Sequence, residues 1–264
     1  MRAKLYLAAT LNGLGEFDEA MAIGEELRRL EVAKERVESP GASEVLWEGK
    51  TLAARLFLGR GAEGDFLKGM EALPDKEEGQ QLVMVSPSVV AWEAWRNVLA
   101  GRNALQRQVL DSAAQYLNQT AQSEDILLGF AKMVNTRTSR SSWARSRYGL
   151  EMERLRLKGD LMKAQGGDLV SRAEFWLQSA VDREKIPAGL KPPVLLSPPA
   201  LSLAQLQLGA GENEKAKESF KALMKTHPND VPVLEQYVVY LEKTGQREGA
   251  GKIRDHIKVV KGLK

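Results

Sequence analysis

The 264-residue sequence predicts an all-α protein, a solenoid of stacked helical hairpins with an irregular middle. Three observations lead there. Apolar residues recur at helical spacing in every periodic segment, and no strand-like alternation is long enough to anchor a sheet; the run Leu82-Val83-Met84-Val85 is too short to outweigh the rest. Glycines fall four residues after an apolar position at Leu11…Gly15, Phe57…Gly61, Leu155…Gly159 and Leu241…Gly245, and Gly211 sits four after Gln207. Five residues beyond four of these glycines stands an alanine, namely Ala20, Ala164, Ala216 and Ala250, with Phe66 as the exception; the last two units repeat at an offset of 34 residues.

The physical reading of that spacing is a helix, a tight turn and a second antiparallel helix. Glycine supplies the restricted backbone where the first helix ends. A small alanine early in the second helix lets the two backbones approach. Residues 1–73 read as N-terminal repeats, through Leu7-Ala8, Leu11, Gly15, Ala20 and Leu27, then Leu52, Leu56, Phe57, Gly61, Phe66 and Met70. Residues 86–135 read as divergent helices, with Val89-Val90, Trp92, Trp95 and Val98-Leu99, then Leu105, Val109-Leu110, Ala113-Ala114 and Leu117. Residues 143–182 form a divergent repeat in which Trp143, Tyr148, Leu155, Gly159 and Ala164 precede a helix through Phe175-Trp176 to Val181. Residues 197–261 form the C-terminal repeats, where Leu203, Ala204, Gly211, Ala216 and Phe220 lead to Pro228, which stops a helix, and Leu234, Tyr237, Leu241, Gly245 and Ala250 follow. Breaks fall at Ser39-Pro40-Gly41, Pro74–Gly79, Thr136–Ser142 and Pro187–Pro199. The whole of 1–264 is then one helical array.

These residues resemble the tetratricopeptide repeat family, most closely at the two ends of the chain. The resemblance implies a right-handed solenoid whose concave groove, lined mainly by the first helix of each pair, holds a segment of a protein or peptide partner. In the family's register the groove-facing positions are Arg55, Glu153 and Arg156 centrally and Gln205 and Glu235 toward the C-terminus. The carboxylate-clamping subtype uses Lys and Asn at first-helix positions that are Leu201 and Gln205 here, and Leu5 and Ala9 in the N-terminal unit, so that clamp is not expected. The repeats start at Met1 without a polar helix in front, so the N-terminal stacking face is expected to be capped by preceding protein or by another subunit.

Thirty-eight Lys and Arg against 35 Asp and Glu give a net charge of +3, which is no nucleic-acid signature by itself. The charges are unevenly spread: residues 126–150 carry Lys132, Arg137, Arg140, Arg145 and Arg147 with no acid, and Lys252, Arg254, Lys258, Lys261 and Lys264 crowd the last residues. The basic stretch holding Arg137, Arg140, Arg145 and Arg147 supports an alternative, a nucleic-acid- or phosphate-binding helical array, although five like charges over such a length are also ordinary solvated surface. A third alternative is an accessory domain of a longer enzyme or assembly protein.

With no cysteine, disulfides, thiolate metal sites and cysteine nucleophiles are excluded, and with two histidines, His227 and His256, a histidine-rich metal centre is not expected. No nucleophile elbow, phosphate loop or paired-histidine zinc motif occurs, and neighbouring acids such as Glu25-Glu26 point in different directions along a helix. No enzymatic activity and no cofactor are expected. His227 reads as a helix-end residue and His256 as a surface one; Trp92, Trp95, Trp143 and Trp176 read as inter-helix packing before they read as a cleft. Residues 192–211 carry no charge, but Pro192, Pro193, Pro198 and Pro199 break the stretch, so no membrane span is predicted. The apolar run after Met1 lacks a convincing cleavage site, which leaves the cytoplasm as the default compartment.

Overall fold

A computed structural model describes residues 1–30, 40–60, 62, 64–74, 87–133, 142–184 and 197–262. These residues fold into thirteen α-helices, with no strand among them. In chain order they are α1 (Arg2–Gly13), α2 (Phe17–Arg28), α3 (Pro40–Lys50), α4 (Leu52–Arg60), α5 (Asp65–Glu71), α6 (Pro87–Gln106), α7 (Leu110–Met133), α8 (Ser142–Gln165), α9 (Leu169–Glu184), α10 (Pro199–Gly209), α11 (Asn213–Thr226), α12 (Val231–Lys243) and α13 (Arg247–Val260). Consecutive helices pack as hairpins: α1 on α2, α4 on α5, α6 on α7, α8 on α9, α10 on α11 and α12 on α13. Each hairpin also packs on the next, chiefly through α2–α4, α5–α6, α7–α8, α9–α10 and α11–α12.

The glycine spacing acquires a mechanism in the turns. Gly15, Gly211 and Gly245 all have positive φ, at 82°, 77° and 77°. The next residue then donates its N–H to the carbonyl six places earlier, counting both ends: Glu16 to Leu11 at 2.9 Å, Glu212 to Gln207 at 2.9 Å and Gln246 to Leu241 at 2.7 Å. That bond satisfies a carbonyl the helix end would otherwise leave unpaired, and the left-handed residue makes it possible. The acceptors are the very positions found four residues before each glycine. Ala20, Ala216 and Ala250 follow with no exposed surface, pressed against the first helix of their hairpins.

The middle carries the same device in a different residue. Gln108 has φ 58°, and Val109 donates to the Ala104 carbonyl at 2.9 Å. Five residues beyond Gln108 is Ala113, again fully buried. Glycine spacing does not mark this turn, because a non-glycine residue takes the left-handed conformation here.

One sequence expectation is corrected. Gly159 and Ala164 do not form a turn; both lie inside α8, and the turn into α9 is made by Gly166 and Gly167, at φ 72° and 59°. Gly159 serves helix crossing instead, since a Cβ there would stand 2.7 Å from Leu177 Cγ on α9. The small residue that the repeat needs in the second helix is Ala173, which is fully buried. Leu82–Val85, Gly61 and most of the break at Pro187–Pro199 lie outside the described residues.

α3 and α4 are almost one helix, interrupted at Thr51. Its hydroxyl and its backbone N–H both donate to the Trp47 carbonyl, at 2.7 Å and 3.0 Å, and Arg55 N–H donates to the Thr51 carbonyl at 3.1 Å, so helical bonds run through the interruption. α3 also packs on α6 and α8. At α3, the Glu44 carboxylate accepts from the backbone N–H of Ser146 at 2.9 Å, joining positions far apart in the chain. The array also returns on itself: a Cβ on Gly15 would meet Val231 Cγ1 at 3.4 Å and Lys261 Cε at 3.2 Å, and one on Gly13 would meet Asp230 Oδ2 at 3.4 Å. The first hairpin turn thus touches the start of α12 and the end of α13.

Candidate functional site

α6 and α8, the first helices of successive hairpins, bring together a row of charged side chains that hydrophobic burial alone would exclude, and α10 adds the Ser202 hydroxyl. Arg102 on α6 and Glu153 and Arg156 on α8 are each less than a tenth exposed. Arg156 Nη1 donates to Glu153 Oε1 at 2.7 Å, and its Nε donates to the Ser202 hydroxyl on α10 at 3.3 Å. Arg102 holds Asp160 in a close ion pair and stands 3.6 Å from Glu153 Oε2. Desolvation lowers the Arg102 guanidinium, but the Asp160 and Glu153 carboxylates outweigh it, so it ends above its ordinary value. Such a row persists only because each buried charge faces an opposite one.

Two clefts open beside this row. One, of about 460 Å³, lies between the ends of α4 and α6 and the facing turns of α8 and α10, with Arg60, Arg102, Arg156, Asp160 and Lys163 on its walls. The other, of about 470 Å³, lies where the first hairpin turn meets α12, between Glu16, Asp18, Glu235 and Lys261. They share Gly59, Arg60, Leu201 and Gln205, so they form one continuous depression.

The five groove positions expected from the sequence separate here. Arg156 and Gln205 line the first cleft, and Gln205 and Glu235 line the second. Arg55 and Glu153 are not presented to a groove. Arg55 is 4% exposed; its Nη2 donates to the Glu48 carbonyl at 2.7 Å and its guanidinium lies 5.1 Å from the Trp95 ring. Glu153 is sealed between the two arginines. Sequence reasoning missed Arg60, Arg102, Asp160 and Lys163; Arg102, Arg156, Asp160 and Lys163 converge only once α6 and α8 cross, which no local spacing encodes.

Of the basic stretch, Arg137 and Arg140 lie outside the described residues, as does the side chain of Arg145. Arg147 stands 3.7 Å from Glu124 on α7, whose carboxylate also accepts from Arg154 Nε at 2.7 Å. Burial raises the Glu124 carboxyl above its ordinary range, with Arg154 opposing. At the C-terminus Lys252, Lys258 and Lys261 pair with Glu248, Asp255 and Glu235, and Arg254 pairs with Glu242.

The histidines and tryptophans have structural surroundings. His227 closes α11 with Nδ1 2.8 Å from the Thr226 hydroxyl, and His256 Nε2 lies 3.1 Å from the Pro228 carbonyl. Trp92 Nε1 donates to the Pro74 carbonyl at 2.8 Å, while the Trp176 ring carries Lys158 Nζ 3.5 Å from its centroid. Among the described residues no three or more acids and histidines gather as a metal site, and no helix is long and apolar enough to cross a membrane. No known family, characterised protein or solved structure matches the chain.

Proposed function

We propose that the chain is a tetratricopeptide-repeat-like, right-handed solenoid that acts as a non-catalytic scaffold, holding a segment of a protein partner in its inner depression. The observation that carries this reading is the continuity of the two clefts through Gly59, Arg60, Leu201 and Gln205. A continuous depression along successive first helices suits an extended segment better than a compact metabolite. The recurrence of one turn geometry at Gly15, Gln108, Gly211 and Gly245 supports the repeat assignment. The pairing of Arg147 with Glu124 weighs against a nucleic-acid array built on the basic stretch.

Peptides selected from a random library against the full chain test the proposal. Their affinity should fall at least about tenfold with Gln205→Arg or Glu235→Arg, which crowd or recharge the depression. Salt should change it modestly. Peptides indifferent to both substitutions, or tight salt-sensitive RNA or DNA binding with no peptide recovered, would overturn it.

A further inference from the structure

The first cleft is more cationic than a peptide backbone requires. Its walls carry Arg60, Arg102, Arg156 and Lys163 against the single carboxylate of Asp160, with Glu153 behind them. Two of these cations are built in: Arg102 and Arg156 are 9% and 7% exposed, and Ser202 and the two carboxylates fix them. The other two sit at the solvent edge. Arg60 is half exposed, lying 4.4 Å from the Phe17 ring and 3.7 Å from Asp65, and Lys163 is exposed. A guanidinium has five N–H donors. The bonds to Ser202, Glu153 and Asp160 do not exhaust those of Arg102 and Arg156, although Arg102 Nη2 itself is buried 3.6 Å from Glu153 Oε2. Asp65, Glu153 and Asp160 offset three of these four cations, and the cleft keeps an excess positive charge at its Lys163 rim that a bound anion would balance. Planar guanidinium groups with an ammonium beside them recognise tetrahedral oxyanions through charge-assisted hydrogen bonds.

We propose that this cleft is a phosphate-binding site, in which Arg102 and Arg156 form the floor and Arg60 and Lys163 close over the anion. The phosphate is either free or carried on a side chain of the bound segment. Only the second source rests on the scaffold reading.

The test titrates inorganic phosphate into the full chain at low ionic strength, following the side-chain Nε–H signals of Arg102 and Arg156 by NMR. A short Gly-Ala peptide containing serine, and the same peptide containing phosphoserine, are then titrated in the same way. Saturable shifts of both arginine signals with phosphate are expected. Lys163→Glu should lower phosphate affinity about tenfold or more, Lys163→Arg should retain it, and both should melt like the parent. Because Lys163 is at the rim, these variants report on the site without disturbing the buried pairs; Arg156→Lys, which keeps the charge but loses the fork, should weaken binding as well. Shifts with phosphate but not with the phosphopeptide support the site with a free anion as its ligand and argue against a phosphorylated segment as the occupant. Shifts with both support a phosphorylated partner. No saturable arginine shift with phosphate, or an unchanged titration in Lys163→Glu, would overturn the site, and equal binding of the two peptides without arginine shifts would do so while leaving the scaffold reading intact.

Discussion

Gln108 occupies a backbone conformation that glycine adopts without steric cost, and it does so at the one α6–α7 turn that sets the next helix on its course. Gln108→Gly should therefore raise stability by about 1 kcal/mol, visible as a higher urea midpoint at unchanged slope. His227 makes a second, pH-dependent prediction. Burial holds its imidazole below the ordinary value of 6.5, with Asp230 pulling the other way. The folded chain then binds this proton less readily than the unfolded one, so the contribution is full above that value and is lost as pH falls through it. His227→Gln should flatten the decline in melting temperature between about pH 7 and 5.5, and an unchanged decline would remove His227 from the account. At this scale the sequence was a partial guide to the site. Gln205 and Glu235 do line the depression, because their place follows from position within a repeat. Arg102 and Asp160 could not be read, because their partnership depends on two helices crossing at one depth.

Helices depend on what lies between them, and Gly159 is the clearest case. A methyl group there would press on Leu177 and stand 3.3 Å from the Ala173 carbonyl, so α8 and α9 would have to separate. Gly159→Ala should cost about 1–3 kcal/mol through overpacking. Gly251→Ala, also within a helix but with nothing within 4 Å, should be neutral or stabilising by up to about 1 kcal/mol, which separates crowding from helix propensity. Chemical denaturation of the two variants side by side checks both. The contrast also explains which elements were legible. Where a glycine ends a helix and an alanine begins the next, as at Gly15 and Ala20, local spacing is enough. Within α8 a glycine stands at a crossing, and four-residue spacing cannot tell a crossing from a turn. The helices of 86–135 were legible by periodicity alone, but their shared turn with the end repeats was hidden by Gln108.

On the scale of the whole molecule, the three glycine turns of this geometry differ in their surroundings. Gly211 and Gly245 face open space, whereas Gly15 faces Val231 and Lys261. Gly211→Leu and Gly15→Leu should carry the same left-handed strain of about 1–2 kcal/mol, and Gly15→Leu should lose about 1–3 kcal/mol more by forcing the ends of the array apart. Equal losses would mean that the ends contribute nothing to each other. The contact between the first turn and the last hairpin changes how such a chain can fold. An open row of hairpins can start anywhere and grow by adding neighbours, each step closing a short loop. A row whose last member must find its first has one long-range step that no local growth completes. If that step comes after the rate-limiting barrier, loosening the junction hastens unfolding and leaves the folding rate alone. The terminal hairpins, which in an open row would fray first, then hold one another in place, and the lifetime of the native state is set at the seam.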